Sequence, residues 1–262
     1  MYIIFFLISF GASIIGAICG IGGGIIIKPV MDAFGLLSVS MINFLSGCTV
    51  LAMTCYSVAR AKLAKEKAID AKIATPLGIG AALGGLIGKE LFSYVAALFD
   101  NANTAGALQA GVLGVITVGT LLYTLNKERI HTYRVRNIFA CLFIGMMLGI
   151  FSSFLGIGGG PINLVVLYFF FTMQTKEAAQ NSLYIILFSQ ITATVRSLFT
   201  MDLAQISALL LGGMILSGIL GGVLGRVINK KIDARMVDRL FIALMVVIIG
   251  INIFNVFKFL AI

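Results

Sequence analysis

Four neutral polar residues, Asn43, Ser46, Asn181 and Ser182, stand inside apolar stretches of the sequence. Asn43, Ser46 and Thr49 recur at i, i+3 and i+6, near one face of a helix. Asn181, Ser182 and Gln190 open the corresponding segment further along. Such groups can hydrogen-bond an oxyanion without the desolvation cost of a full charge. The alternative is helix capping, for which Asn and Ser are ordinary choices. Lys28 is a cation four residues past Gly24. It either attracts a divalent anion or pairs with Asp32 at i+4. Arg196 either guards a mouth of the protein as a gate or snorkels to lipid phosphates. None of these residues makes a nucleophile with its base, and the single histidine and scattered cysteines assemble no metal site. The chemistry on offer is anion binding rather than bond making.

Such residues need elements to position them, and the sequence marks where those elements break. Gly20-Ile-Gly-Gly-Gly24 and Gly156-Ile-Gly-Gly-Gly160 both lie in strongly apolar surroundings. Each glycine weakens a helix by about 1 kcal/mol relative to alanine. Packing between helices uses glycines three or four apart, whereas a run of three makes a turn. A second helix beginning near Ile25, and another at Pro161, would then expose free N–H groups and the positive end of a helix dipole. Pro161 fits a first helical position, where its missing N–H costs nothing. Two such N-termini would make an anion site, with Gly22, Gly23, Gly24, Gly158, Gly159 and Gly160 letting backbone approach a ligand.

The elements themselves must be membrane helices. The chain is 60% hydrophobic and 11% charged, against about 25% charged for a soluble domain. Residues 1–27, 33–59, 101–126, 137–175 and 203–225 carry no charge, and about 20 apolar residues cross a bilayer. This is an all-α polytopic membrane protein, expected in the inner (plasma) membrane. The first apolar segment is expected to be retained rather than cleaved, since no positive region precedes it. The net charge of +9 sits in short loops, so it reports membrane orientation and not nucleic-acid binding.

The two glycine motifs belong to a duplication. At an offset of 136, Gly20 meets Gly156, Ser46 meets Ser182 and Arg60 meets Arg196. At 137, "GGLIGK" (84–89) meets "GGVLGR" (221–226), a pair read here as helix-packing glycines. The chain thus divides into a first repeat (1–126), a basic linker (127–136) and a second repeat (137–262). Each repeat holds a glycine-broken helical hairpin followed by three transmembrane helices. Fourteen of the 19 Lys and Arg residues fall in 60–72, 127–136 and 226–239, which places these loops in the cytoplasm. Counting crossings from there gives the repeats inverted topology, with both termini outside. The arm after the first break, Ile25 to Leu37, is about 20 Å long if helical, short for a full span.

The twin G-I-G-G-G, the proline closing the second copy, the paired GGxxG[KR] and the basic central linker resemble the TauE/SafE family of membrane transporters over essentially the whole chain. The resemblance implies export of sulfite, organosulfonates or related small sulfur anions. Inverted repeats with broken helices imply alternating access with the substrate at the repeat interface. An anion channel and a carrier for small carboxylates share these features; a membrane-embedded enzyme fits them least. No cofactor is expected. The expected partners are a small anionic substrate and the lipid bilayer, with a homodimer allowed by the chain's short length.

Overall fold

A computed structural model describes residues 2–64, 69–99, 102–157, 159–200 and 206–261. These residues form α-helices and one 3₁₀ turn, with no strand among them. The first half contains α1 (Tyr2–Cys19), α2 (Gly24–Phe34), α3 (Val39–Leu63), α4 (Ala71–Ala97) and α5 (Ala102–Asn126). A 3₁₀ turn (Lys127–Arg129) opens the linker. The second half contains α6 (Ile138–Phe154), α7 (Pro161–Phe171), α8 (Thr175–Thr200), α9 (Ala208–Lys231) and α10 (Ala234–Ala261). Seven of the described helices are long and apolar enough to cross a membrane.

Local chemistry sets the helix ends. Gly20 adopts φ +76° at the end of α1, and its N–H, like that of Ile21, bonds the Gly16 carbonyl. Gly156 repeats this geometry after α6 with φ +66°. Side chains that prefer right-handed backbone would be strained at both positions. Ser38, Asp70, Asn137 and Ser207 accept backbone N–H bonds at the starts of α3, α4, α6 and α9. Pro161 occupies the first turn of α7.

The arm after the first break is shorter than its apolar run suggests. Gly35 turns left-handed and its N–H closes onto the Met31 and Asp32 carbonyls, so α2 stops at Phe34 with 11 residues. Its counterpart α7 also has 11 residues and ends at Thr172, again left-handed. Each arm is about 16 Å long, roughly half the thickness of a hydrocarbon core.

Packing between the halves is reciprocal. Helix α1 lies along α9 as α6 lies along α4, α3 packs on α9 as α8 packs on α4, and α2 meets α10 as α7 meets α5. Helices α3 and α8 pack on one another, as do α5 and α10. Glycines hold the tightest seam. Gly80, Gly84 and Gly88 on one face of α4 abut the carbonyls of Leu142, Met146 and Ile150 on α6. Gly145 and Gly149 of α6 return the contact against Leu77 and Ala81. Gly221 and Gly225 do the same for α9 against Phe10 and Ile14 of α1. In lipid, where water drives nothing between helices, such close approach supplies the association through dispersion contacts.

Candidate functional site

The two breaks are built against the opposite halves. A Cβ at Gly20 would overlap Ala179 of α8, and one at Gly156 would overlap the Asn43 side chain on α3. Positions 43 and 179 are themselves equivalent at the offset of 136, so each break rests on the same point of the other half's long helix. At the centre the breaks touch one another. A Cβ at Gly24 would overlap the Ile157 carbonyl and stand 3.3 Å from the Ser46 hydroxyl. Ile21, Ile25 and Ile157 are buried around this contact.

The candidate residues occupy distinct positions. Ser46 and Ser182, which correspond at the offset of 136, are fully buried and their hydroxyls have no partner among the described residues. Asn43 is buried with its Oδ1 unpartnered, and so is Asn163 in the first turn of α7. Asn181, by contrast, bridges elements. Its Oδ1 accepts from the Asp70 backbone N–H at 3.1 Å and its Nδ2 donates to the Glu177 carbonyl at 2.9 Å. Gly22 packs toward Val50 and Ile186, and Gly159 adopts φ +120° over Ile186. Gly23 caps α2, and Gly160, with φ +138°, caps α7. Gly158 lies outside the described residues.

Lys28 is paired with Asp32 at 2.5 Å, both nearly fully buried within α2. On the adjacent turns, Asn255 of α10 donates to the Pro29 carbonyl, and Lys258 donates to the Ala33 carbonyl. Arg196 bonds Glu90 of α4 at 2.5 Å, with both side chains partly exposed. Both the Lys28 and Arg196 charges are therefore met by a carboxylate within the protein.

A small polar cavity of about 20 Å³ lies beside the second break, between α3, α4, α6 and α8. Asn43, Lys89, Ser152, Ser153, Gly156 and Gln190 line it. Ser152 and Ser153 are buried, and their hydroxyls have no partner among the described residues. Sequence reasoning passed over three of these residues. Lys89 closes the "GGLIGK" motif, whose glycines do pack helices and so mask its own position. Ser152 and Ser153, in the turn before the break, are an adjacent polar pair in a charge-free stretch, and that was the available signal.

A larger recess of about 690 Å³ lies between the start of α4, the linker and the α7–α8 connection. It presents Lys72, Arg134 and Arg136 together with Asp70 and Glu177. The linker is anchored beside it. The Tyr133 and Val135 N–H groups bond the Phe169 and Phe170 carbonyls. Lys127 meets Asp238 of α10 at 2.7 Å, and Tyr168 and Thr175 complete the cluster.

A family model described as "Sulfite exporter TauE/SafE" matches residues 5–253. No curated protein and no solved structure matches the chain.

Proposed function

The chain belongs to the TauE/SafE family of membrane transporters, and from that premise we propose that it is a secondary carrier for a small sulfur oxyanion or organosulfonate of the sulfite and sulfoacetate class. The observation that carries this reading is the contact of the two glycine breaks at the centre of the bundle, Gly24 against Ile157. Buried polar groups without partners among the described residues lie at Ser46 beside Gly24, at Asn43 against Gly156, and at Ser182, the equivalent of Ser46 at the offset of 136. Left unpaired in the membrane interior, each costs about 1–3 kcal/mol, and a ligand that accepts hydrogen bonds from the two serine hydroxyls relieves their share of it. The N-termini of α2 and α7 add the positive ends of two helix dipoles, the right sign for an anion.

In this reading the two repeats are inverted, the three basic loops are cytoplasmic and both termini are outside. The reciprocal packing of α1 on α9 and α6 on α4 supports two halves that rock as equivalent bodies. The basic recess around Arg134 and Arg136 then serves as the cytoplasmic vestibule. The Arg196–Glu90 pair serves as an outer gate, since its partners adjoin Lys89 and Ser197 on the wall of the polar cavity.

Thermal stability of the detergent-purified protein against sulfite, sulfate, thiosulfate, sulfoacetate, lactate and chloride tests the substrate class. A ligand at about 100 times its dissociation constant adds roughly 2.7 kcal/mol, readily seen as a rise in Tm. Stabilisation confined to sulfur anions supports the assignment. Stabilisation by lactate alone overturns the sulfur assignment and leaves an anion carrier.

A further inference from the structure

Lys89 lies in the last third of α4, a helix long and apolar enough to span the membrane. Lys89 is half-buried, where an ammonium gains from a counter-charge, and its own neighbour Glu90 is committed to Arg196 at 2.5 Å. Among the described residues Lys89 has no hydrogen-bond acceptor and no ion-pair partner. It lines the polar cavity beside Gly156, where the other walls are neutral: Asn43, Ser152, Ser153 and Gln190, with no Asp or Glu among them. Three polar atoms there are buried and unpartnered, namely Asn43 Oδ1, Ser152 Oγ and Ser153 Oγ, on residues 6%, 2% and 5% exposed. A water in a cavity of this size answers the hydroxyls but leaves the charge uncompensated. An anion answers both. The hydroxyls of Ser152 and Ser153 rotate to present donors to it.

The equivalent place in the other half is not such a site. At the offset of 136, Ser152 and Ser153 correspond to Gly16 and Ala17, and Asn43 to Ala179. Gln190 corresponds to Thr54, whose hydroxyl donates to its own helix at Val50. At 137, Lys89 corresponds to Arg226, which donates to the Ser57 carbonyl at 3.1 Å. Duplication made two positions, and only one kept the donors together with an unpaired cation.

We propose that Lys89, with Asn43, Ser152, Ser153 and Gln190, forms the oxyanion-binding subsite of the carrier, and that each transport cycle carries one anion bound there. Its place on the transport path rests on the carrier reading above; its affinity for anions does not. At about 20 Å³ the cavity admits one water-sized group. A sulfur oxyanion therefore enters as α3 and α8 shift away from α6, a movement that alternating access supplies.

Equilibrium binding of radiolabelled sulfite to purified protein, with unlabelled sulfoacetate, lactate and chloride as competitors, tests the subsite in four proteins. These are wild type, Lys89→Met, Lys89→Arg and the Ser152→Ala/Ser153→Ala double variant. Loss of a charge-assisted contact predicts at least about tenfold weaker binding in Lys89→Met, with Lys89→Arg within a few-fold of wild type. The double variant deletes only two hydroxyls, keeps the fold, and predicts an intermediate loss. It carries the test should Lys89→Met not assemble. Wild-type affinity in Lys89→Met, or in the double variant, overturns the subsite while leaving the carrier reading in place. Should sulfite not bind, direct binding of radiolabelled lactate and chloride replaces it. An affinity for either that Lys89→Met abolishes upholds the subsite and overturns the sulfur assignment. Absence of binding by every anion overturns the subsite.

Discussion

Lys28 and Asp32 form a buried ion pair one turn apart on a half-length helix. The spacing was visible in the sequence, and so was the choice between substrate contact and internal pairing. The structure places the two charges together, and burial on all sides keeps them so. Removing one partner of such a pair costs about 3–5 kcal/mol, because the other is left uncompensated. Lys28→Met is therefore expected to lower thermal stability sharply. The Lys28→Met/Asp32→Leu double variant should recover most of that loss, as a double-mutant cycle by thermal unfolding will show. Equal loss in both would mean that the pair is not the reason for the effect. The same reasoning explains why Lys89 escaped notice. Its sequence context is a packing motif, and a sequence does not say which way the last residue of that motif faces. Asn181 shows the converse: its type suggested a ligand, but the fold gives both ends of its amide a backbone partner.

At the level of elements, the breaks were legible because three successive glycines have few uses inside an apolar helix. The end of α2 was not, because the left-handed turn at Gly35 interrupts a run that stays apolar through Leu37. Tertiary contact also revises how the glycines should be probed. Gly159 combines φ +120° with close approach to Ile186, so a bulky residue there tests folding before it tests binding. The packing glycines give a cleaner contrast. Gly84 meets the Met146 carbonyl across the α4–α6 seam, while Gly212, inside α9, has nothing within 4 Å of where a Cβ would stand. Gly84→Val should abolish accumulation of a monodisperse protein. Gly212→Ala should be neutral or stabilising by up to about 1 kcal/mol, from helix propensity alone. Gel filtration and thermal unfolding of the two variants read both outcomes, and similar behaviour of the pair would contradict the seam.

At the scale of the whole molecule, the duplication predicts more than the helix count. It predicts that the two halves are built alike; in the fold each half lends its first helix to the other, α1 to α9 and α6 to α4. The sequence could not show that the linker is held in place, since the residues that fix it are distant. Lys127 reaches Asp238, and the linker backbone bonds α7. Orientation is open to direct measurement. In a background without native cysteines, Leu98→Cys should react with a membrane-impermeant maleimide in intact cells, and Lys231→Cys only after permeabilisation. The opposite pattern would invert the topology proposed from the basic loops.

The central claim is that the two mirrored halves carry an anion rather than conduct it. Counterflow of radiolabelled sulfite in proteoliposomes tests this most directly. Vesicles loaded with unlabelled sulfite should show a transient overshoot of label that saturates with concentration and disappears with excess sulfoacetate. Label that enters without overshoot or saturation, or does not enter at all, would contradict the account.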